Sequence, residues 1–401
     1  MKKIICYVQL LILTACIFTQ QINKVYSLNP VRGEEGIMVN AKATTYYINS
    51  QTGNAFAGNG DKAIIPTPAQ EAFMKLKHGM FIHFGINTFN DKEWSYGDLP
   101  LSSFNPDSVS TDQWCRVAKK AGINYLIFTT KHVDGFCNWK TGFTDYCVSN
   151  TPYKKDIVAR LAQSCKKYGL KLGLYYCLWD ENQVSFKKDE RAYNEYVRNQ
   201  ITELLTNYGD IACLWFDGFW KRQQSGWKKK EVKEGEEILK NVYIDGENFI
   251  NAWRREGAYR LEWDRLYLMI KRLQPDCIVF NNTTTAYKGI PLFPVDARPA
   301  EKGANLISDS TIWNWLGKPV YLPLQIETTL SQKGDKLFPN GNWFWHEWDH
   351  SVATREQVND WASNANRLNA NLVINVGPMS DGKLRPEDIE LLSTVNFART
   401  P

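Results

Sequence analysis

From about residue 71 onward, short apolar runs alternate with amphipathic stretches of helical period. The runs are Gly79–Gly85, Tyr125–Thr130, Leu170–Leu178, Ile211–Phe216, Cys277–Phe280, Val320–Ile326 and Leu372–Val376. Each has the length of a strand and lacks the apolar–polar alternation of a half-exposed one, as expected where both faces are covered. Between them, residues 111–121, 154–168, 190–208, 262–274 and 354–369 repeat apolar positions at helical spacing. Thr111 and Asp112 supply a helix start, while Gly122 and Gly169 stop two helices. Strands alternating with helices predict a parallel sheet, because each parallel pair needs a crossover that a helix can provide. Seven strands are visible, and an eighth is expected in the weakly patterned stretch 293–312. The expected fold is therefore α/β, a (β/α)8 TIM-like barrel of about 300 residues. A doubly wound sheet is the alternative, but no GxGxxG or Walker sequence follows the first strand.

The flanks read differently. Lys2 and Lys3 precede an apolar run from Ile4 to Phe18, and polar residues begin at Thr19. A charged start before an apolar stretch too short to span a bilayer comfortably is the pattern of a secretory signal. Two endings are open. Leu13-Thr14-Ala15-Cys16 resembles a bacterial lipobox, which would leave a lipid anchor on Cys16, whereas cleavage near Ser27 would give a soluble product. Residues 1–27 are thus read as the signal, and the polar, aperiodic 28–70 as a linker or N-terminal extension. Residues 71–401 are read as the barrel, interrupted at about 221–258 by a Lys- and Glu-rich insertion that would form a solvated surface or a rim. The expected location is exported: periplasmic, an outer-surface lipoprotein or secreted. No second apolar stretch approaches 18 residues, so no transmembrane span is expected in the mature domain.

Composition changes this picture at two points. A formal net charge of +5 spread over 401 residues is too small for a nucleic-acid footprint, so no nucleic-acid partner is expected. The aromatic share is 13%, with 15 Trp, and such rings offer flat apolar faces with a polar edge, the surface on which sugar rings stack. Setting aside Cys6 and Cys16, the cysteines are Cys115, Cys137, Cys147, Cys165, Cys177, Cys213 and Cys277. Their odd number and the absence of CxxC argue against a disulfide framework and a thiolate zinc site, leaving them as small core hydrophobes.

In a barrel, the carboxyl ends of the strands build the site. Here they are polar or aromatic in succession: Phe81-Ile82-His83-Phe84-Gly85 with Glu93-Trp94 beyond, Thr130 to Phe136, Tyr175 to Asp180, and Trp215-Phe216-Asp217-Gly218. Alternation of period two predicts that an inward Asp217 brings Trp215 and Cys213 with it while Phe216 faces outward. By the same rule an inward His132 would bring Thr130 and Phe128. The resulting cavity holds a carboxylate, imidazoles, indoles and phenols. With no HExxH spacing and no phosphate-cradling loop, neither a metal nor a cofactor is expected. Imidazole and indole N–H groups can orient sugar hydroxyls, and a carboxylate can attack an anomeric carbon.

These residues resemble the α-L-fucosidases of glycoside hydrolase family 29. The resemblance is carried by FIHFG (81–85), EW (93–94), AGINYLIFTTKHVDGFCNW (121–139), YGLKLGLYYCLWDEN (168–182) and LLTNYGDIACLWFDG (204–218). LQPDCIVFNN (273–282) and NLVINVGPMSDGKL (371–384) extend it over roughly residues 70–385. It implies a (β/α) barrel, often followed by a β-sandwich; the chain ends soon after its last predicted strand, so no sandwich is expected. It also implies retaining hydrolysis of terminal α-L-fucose, with a fucosylated oligosaccharide or glycoprotein glycan as partner. Asp217 falls on the family's nucleophile, and His83, Glu93, Trp94, His132 and Tyr175 fall on sugar-contacting positions. Val133 replaces a second His that the family usually carries. Asp296 to Glu301 resembles a stretch ending in the general acid, which makes Glu301 the nominee and Glu327, in Gln325-Ile326-Glu327-Thr328, the reserve. Asn342-Trp343-Phe344-Trp345 corresponds to a loop that would cover the sugar's methyl group. The same barrel could serve a related α-L-glycosidase such as an α-L-galactosidase, or a non-catalytic glycan-binding protein.

Overall fold

The computed structural model describes residues 65–218, 261–282, 295–307, 321–334, 341–395 and 397 in full, together with the backbone of the strands Gly36–Ala41, Thr44–Asn49, Ala55–Ala57, Ile312–Trp315 and Lys318–Tyr321. Eight strands form one parallel sheet: β1 (His78–Ile82), β2 (Tyr125–Lys131), β3 (Lys171–Cys177), β4 (Ile211–Asp217), β5 (Ile278–Asn281), β6 (Arg298–Glu301), β7 (Leu324–Thr329) and β8 (Asn371–Val376). Their order, β5-β4-β3-β2-β1-β8-β7-β6, is that of a (β/α)8 barrel opened between β5 and β6. The expected eighth strand lies where the pattern was weakest, at Arg298–Glu301.

Asp296 spans the opening. Its N–H donates to Val279 O and its Oδ2 accepts the Val279 N–H, both at 2.9 Å, so one residue supplies a ladder bond with its main chain and another with its side chain. The same carboxylate accepts the Tyr267 hydroxyl at 2.7 Å and pairs with buried Lys271. Its carbonyl accepts Gln70 Nε2 at 2.6 Å.

The crossovers explain the sequence rhythm. Helices α1 (Pro68–Met74), α2 (Thr111–Ala121), α3 (Ile157–Tyr168), α4 (Val184–Lys188), α5 (Glu190–Asn207), α6 (Trp263–Leu273), α7 (Arg355–Arg367) and α8 (Pro386–Thr394) include one between most consecutive strands. Asp156 caps α3 through the Ala159 N–H, and Thr354 caps α7 in a box with Gln357. Beneath the barrel, α1 inserts Phe73 between Tyr125 and Phe280, with ring centroids 5.2 and 5.6 Å away. The Tyr125 ring lies so close to β1 that a Cβ on Gly79 would come within 2.5 Å of it, which explains the glycine. Among the described residues, no helix is long and apolar enough to cross a membrane.

Three expectations need correction. The run Val320–Ile326 is two elements: Lys318–Tyr321 pairs antiparallel with Ile312–Trp315, and β7 starts at Leu324. Pro323 has no N–H with which to continue a ladder, so the strand restarts after it. Residues 28–70 are not structureless throughout, because Gly36–Ala41, Thr44–Asn49 and Ala55–Ala57 pair antiparallel and α1 opens at Pro68 on a Thr67–Gln70 capping box. On β2 the alternation breaks. Tyr125 faces inward, bonding Gln325 Oε1 at 2.7 Å, whereas Phe128 packs outward on Trp114 of α2. A register shift between Thr129 and Lys131 restores His132 to the interior, while Lys131 turns outward to Asp180 at 2.7 Å. On β4 the expected parity holds: Trp215 stacks inside on Tyr175, and Phe216 meets Trp263 of α6. Residues 1–27, which the sequence reads as a signal, with Cys16 among them, and the stretch 221–258 lie outside the described residues.

Replacing Asp296 with Ala removes an acceptor from two buried donors and strips buried Lys271 of its counter-charge. The expected cost is about 3–5 kcal/mol in unfolding free energy, read from the denaturant midpoint. A loss below 1 kcal/mol would show that the closure does not depend on this side chain.

Candidate active site

The strand ends converge as an aromatic-walled pocket. Trp215 of β4, Tyr175 of β3 and His132 beyond β2 form a continuous stack, with centroids 5.4 Å apart for the first pair and 5.6 Å for the second. Phe81 meets Tyr175 and Trp215 edge-on from β1. His83 lies 5.1 Å from Trp343 and 6.1 Å from His132, and the Trp94 edge faces His132 at 5.9 Å. These rings exclude water, which dictates the ionisation of everything among them.

At the end of β4 the Asp217 carboxylate accepts the Tyr175 hydroxyl on Oδ2 at 2.8 Å and Asn282 Nδ2 on Oδ1 at 3.0 Å. The same Asn282 nitrogen donates to Glu301 Oε2 at 2.9 Å. Two oxygens bound to one nitrogen can be no further apart than the two bonds laid end to end, about 6 Å. The Trp343 side chain beside Glu301 opposes part of the rise in its pKa. Burial raises the pKa of Asp217, partly offset by its bonds to Asn282 and Tyr175. Burial among the pocket walls also raises that of Glu301, and the Asp217 charge adds to the rise, although the Glu301 side chain keeps accessible surface at the mouth. One of the two therefore holds a proton at a pH where an isolated carboxyl would have lost it.

The imidazoles move the other way. Burial pushes His132 down to about 3 and His83 well below the usual range, so both are neutral near pH 7. The tautomer of His83 follows from its neighbours. Asn375 uses Nδ2 as donor to Trp343 O at 2.8 Å, so its Oδ1 faces His83 Nδ1 at 2.7 Å and must accept from it. His83 Nε2 is left as an acceptor suited to a hydroxyl. His132 Nδ1 is buried without a hydrogen-bond partner, 3.9 Å from Asp134 Oδ2.

Glu93 sits at 3% exposure with its carboxylate already engaged. It accepts Trp343 N at 3.0 Å and Phe344 N at 2.8 Å, and lies 3.0 Å from His346 Nε2. His346 bonds Asp91 through Nδ1 at 2.6 Å; burial disfavours its cation, but these two carboxylates outweigh burial and raise its pKa. In this geometry Glu93 holds the loop that forms the pocket's far wall. Glu327 is buried one layer down, accepting Trp215 Nε1 at 3.0 Å, Gln325 Nε2 at 2.7 Å and Ala300 N at 2.8 Å.

The structure thus brings Asp217, Glu301, His83, His132, Tyr175 and Trp94 to one cavity, with Glu93 behind its wall. The sequence reading assigned no part to Asn282, Asn375 or His346. Asn282 and Asn375 stand inside the motifs FNN and NLVINV, where an asparagine at a strand end reads as an ordinary turn former. Among the described residues, no group of three or more His, Cys, Asp or Glu could hold a metal ion.

The chain is similar in sequence and fold to known proteins. Residues 87–262 fit the family profile described as Alpha-L-fucosidase. Alpha-L-fucosidase 1 of Arabidopsis thaliana is 31% identical over 342 residues, covering 82% of this chain and 59% of that protein. The putative alpha-L-fucosidase 1 of Oryza sativa subsp. japonica is 28% identical over 85% of this chain and 60% of its own length. The chain therefore spans about three fifths of these relatives. Among solved structures, a glycoside hydrolase 29 family member from an unknown rumen bacterium superposes with a TM-score of 0.64 at 27% identity, over 82% of this chain and 56% of that one.

Glu327 yields a prediction independent of turnover. Burial pushes its pKa up to about 8, well above the value of about 4.3 in an unfolded chain, so the folded state prefers the protonated form. Its contribution to stability is full below the unfolded value and is lost as pH rises through about 8. Wild-type unfolding free energy should fall more steeply between about pH 5 and pH 8 than that of Glu327→Gln. Parallel curves for the two proteins would refute the shift.

Proposed function

Because the barrel is that of glycoside hydrolase family 29, the α-L-fucosidases, we propose that this chain hydrolyses terminal α-L-fucose from glycans with retention at the anomeric carbon. The observation that carries the proposal is the pair Asp217 and Glu301 sharing one amide nitrogen of Asn282. A retaining mechanism needs carboxyl groups about 5–5.5 Å apart, too close to admit the intervening water of an inverting one. The shared donor holds the two bonded oxygens to within about 6 Å of each other, shorter than the separation of an inverting pair.

The steps follow from the protonation states. Asp217 is the nucleophile: an oxygen lone pair forms a bond to C1 while the C1–O bond to the leaving group breaks. Glu301, protonated, passes its proton to the departing oxygen. In the second half Glu301, now ionised, takes a proton from water whose oxygen attacks C1, and the Asp217–C1 bond breaks. The Tyr175 hydroxyl and the Asn282 amide hold Asp217 still and ease its charge in the free enzyme. His83, with Nε2 as acceptor, and neutral His132 are placed to bind ring hydroxyls. The basic and apolar start of the sequence supports export of the enzyme, either anchored at Cys16 or released by cleavage near Ser27.

Asp217→Gly should lower kcat on an aryl α-L-fucoside by at least about a thousandfold while leaving the unfolding midpoint within experimental scatter. The first product seen by NMR should be the α anomer of fucose; an initial β anomer would exclude double displacement. Glu301→Gln should abolish the alkaline limb of the kcat/KM profile, because that limb records loss of the acid's proton. The same variant should lose more activity on an oligosaccharide than on an aryl fucoside whose leaving group needs no protonation. An intact alkaline limb would move the acid role away from Glu301.

A further inference from the structure

The chain reverses immediately after His132, in a turn closed by Gly135 N–H to His132 O at 3.0 Å, and so brings Asp134 back beside the imidazole. The Asp134 carboxyl is buried, and the groups bonded to it are N–H donors. Its Oδ1 accepts the Phe136 N–H at 2.6 Å, and its Oδ2 accepts Asn87 Nδ2 at 3.0 Å. The Asn87 amide is fixed from its other side, because its Oδ1 accepts Ser95 Oγ at 2.6 Å and its Nδ2 also donates to Glu93 O at 3.3 Å. Also facing Asp134 Oδ2 is His132 Nδ1, 3.9 Å away. That nitrogen is buried with no hydrogen-bond partner. The rest of the ring keeps 11% of the side chain's surface open, beside Tyr175, Phe344 and Trp94.

Neighbours that all donate leave the carboxyl group two ways of meeting the imidazole. Ionised, Asp134 offers only acceptor oxygens, so the imidazole proton belongs on Nδ1 and Nε2 presents a lone pair to the pocket. Protonated, its O–H cannot point at the Asn87 or Phe136 N–H groups, which themselves donate. It points at Nδ1, and the imidazole proton then belongs on Nε2. We infer that Asp134, facing the orphan nitrogen of His132, is a positioning residue that decides which imidazole nitrogen carries the proton, and so whether His132 accepts from or donates to a hydroxyl in the pocket. Passing from the first form to the second takes up one proton: solvent gives it to Nε2 while the Nδ1 proton moves to Asp134. The 3.9 Å gap is about 1 Å beyond hydrogen-bond length, and such contacts tighten when a substrate fills the site. Burial pushes the Asp134 carboxyl up to about 7; the Phe136 N–H opposes that rise, the Asp180 charge adds to it and Lys131 offsets it. Lys131 and Asp180 are themselves paired at 2.7 Å. Burial holds His132 down at about 3, so the imidazole stays neutral while its proton changes place. The other ionisable groups about the two residues are Tyr146, Tyr175 and His83, and burial holds the first two above and the third below their ordinary values. That the hydroxyl belongs to fucose rests on the fucosidase reading above; the control of the tautomer does not.

The test reads the ring nitrogens by NMR. The chain has five His, so protein isotopically labelled in its histidine nitrogens gives few imidazole signals, and the set lost in His132→Gln assigns His132. Long-range proton–nitrogen spectra then distinguish a protonated ring nitrogen from a bare one. Wild-type His132 should carry its proton on Nδ1 at about pH 9 and on Nε2 at about pH 5, crossing at about pH 7. In Asp134→Asn, which keeps the size and loses the titration, one form should persist across that range. A wild-type His132 whose proton stays on one nitrogen throughout would overturn the inference, and so would a crossing that survives in Asp134→Asn. The first of these needs no variant, so a failure of Asp134→Asn to fold would not shield the inference. Added L-fucose should move the Nε2 signal; a signal left in place, in a protein that cleaves an aryl α-L-fucoside, would overturn the inference too. A crossing in a protein that neither binds fucose nor cleaves the aryl fucoside would leave the tautomer control standing and remove the fucosidase reading.

Discussion

Two carboxyl groups tied to one amide nitrogen are the constraint around which this molecule is arranged. Asn282 donates to Asp217 and to Glu301 at once. The nitrogen is placed by the backbone, since the Asn282 N–H bonds Phe216 O at 2.9 Å and so ties the end of β5 to β4. Glu301 comes from β6, which faces β5 across the gap in the sheet. The distance between the two carboxyl groups is therefore set by how the barrel closes, which links Asp296 to the chemistry although it touches neither group. A barrel that gaped at β5 and β6 would keep its core and lose its pair.

The second support is the loop behind Glu93. A carboxylate at 3% exposure needs its acceptor sites filled, and here two backbone N–H groups and an imidazole fill them. The family resemblance places a sugar-contacting residue at Glu93, and its bonds also make it the anchor of Trp343 and Phe344. From Trp343 the chain of contacts divides. Its side chain reaches Glu301, and its carbonyl takes the Asn375 amide that fixes the His83 tautomer. One buried carboxylate thus orients both the group that would donate a proton and a group that would hold a hydroxyl. Glu301 and Glu327 were not separable by residue type, since both are glutamates near strand ends. Their surroundings separate them: Glu327 is saturated by three donors at 1% exposure, while Glu301 keeps a face toward the mouth.

Much of the barrel was legible because a parallel strand covered on both faces must be apolar along its whole length, and seven such runs stand out. The eighth was hidden because Arg298-Pro299-Ala300-Glu301 is neither apolar nor β-branched; it is a strand by its ladder to β7 alone. The parity of β4 could be read from alternation, and the parity of β2 could not. A bulge adds a residue to one strand without leaving a mark in composition, so Phe128 and His132 end on opposite faces although their spacing is even. Asn282 was illegible for another reason. Its function is a relation between β4, β5 and β6, and a sequence records residues before it records which strands are neighbours.

The same burial that raises the carboxyls lowers the imidazoles, and the direction of both effects matters for the proposed reaction. Were His83 and His132 protonated at neutral pH, the pocket would carry up to two positive charges close to a sugar ring whose transition state becomes positive at C1. At 4 Å and an effective dielectric of 20, one such charge opposes the developing one by about 4 kcal/mol, roughly a thousandfold in rate. The aromatic stack of Trp215, Tyr175 and His132 keeps water away, so the imidazoles are neutral and add no positive charge to the pocket. An aromatic wall thus serves the charge balance as well as the sugar's apolar face. Replacing the Tyr175 ring by an aliphatic side chain would cost more than its hydrogen bond to Asp217, because it would admit the solvent that lets His132 protonate.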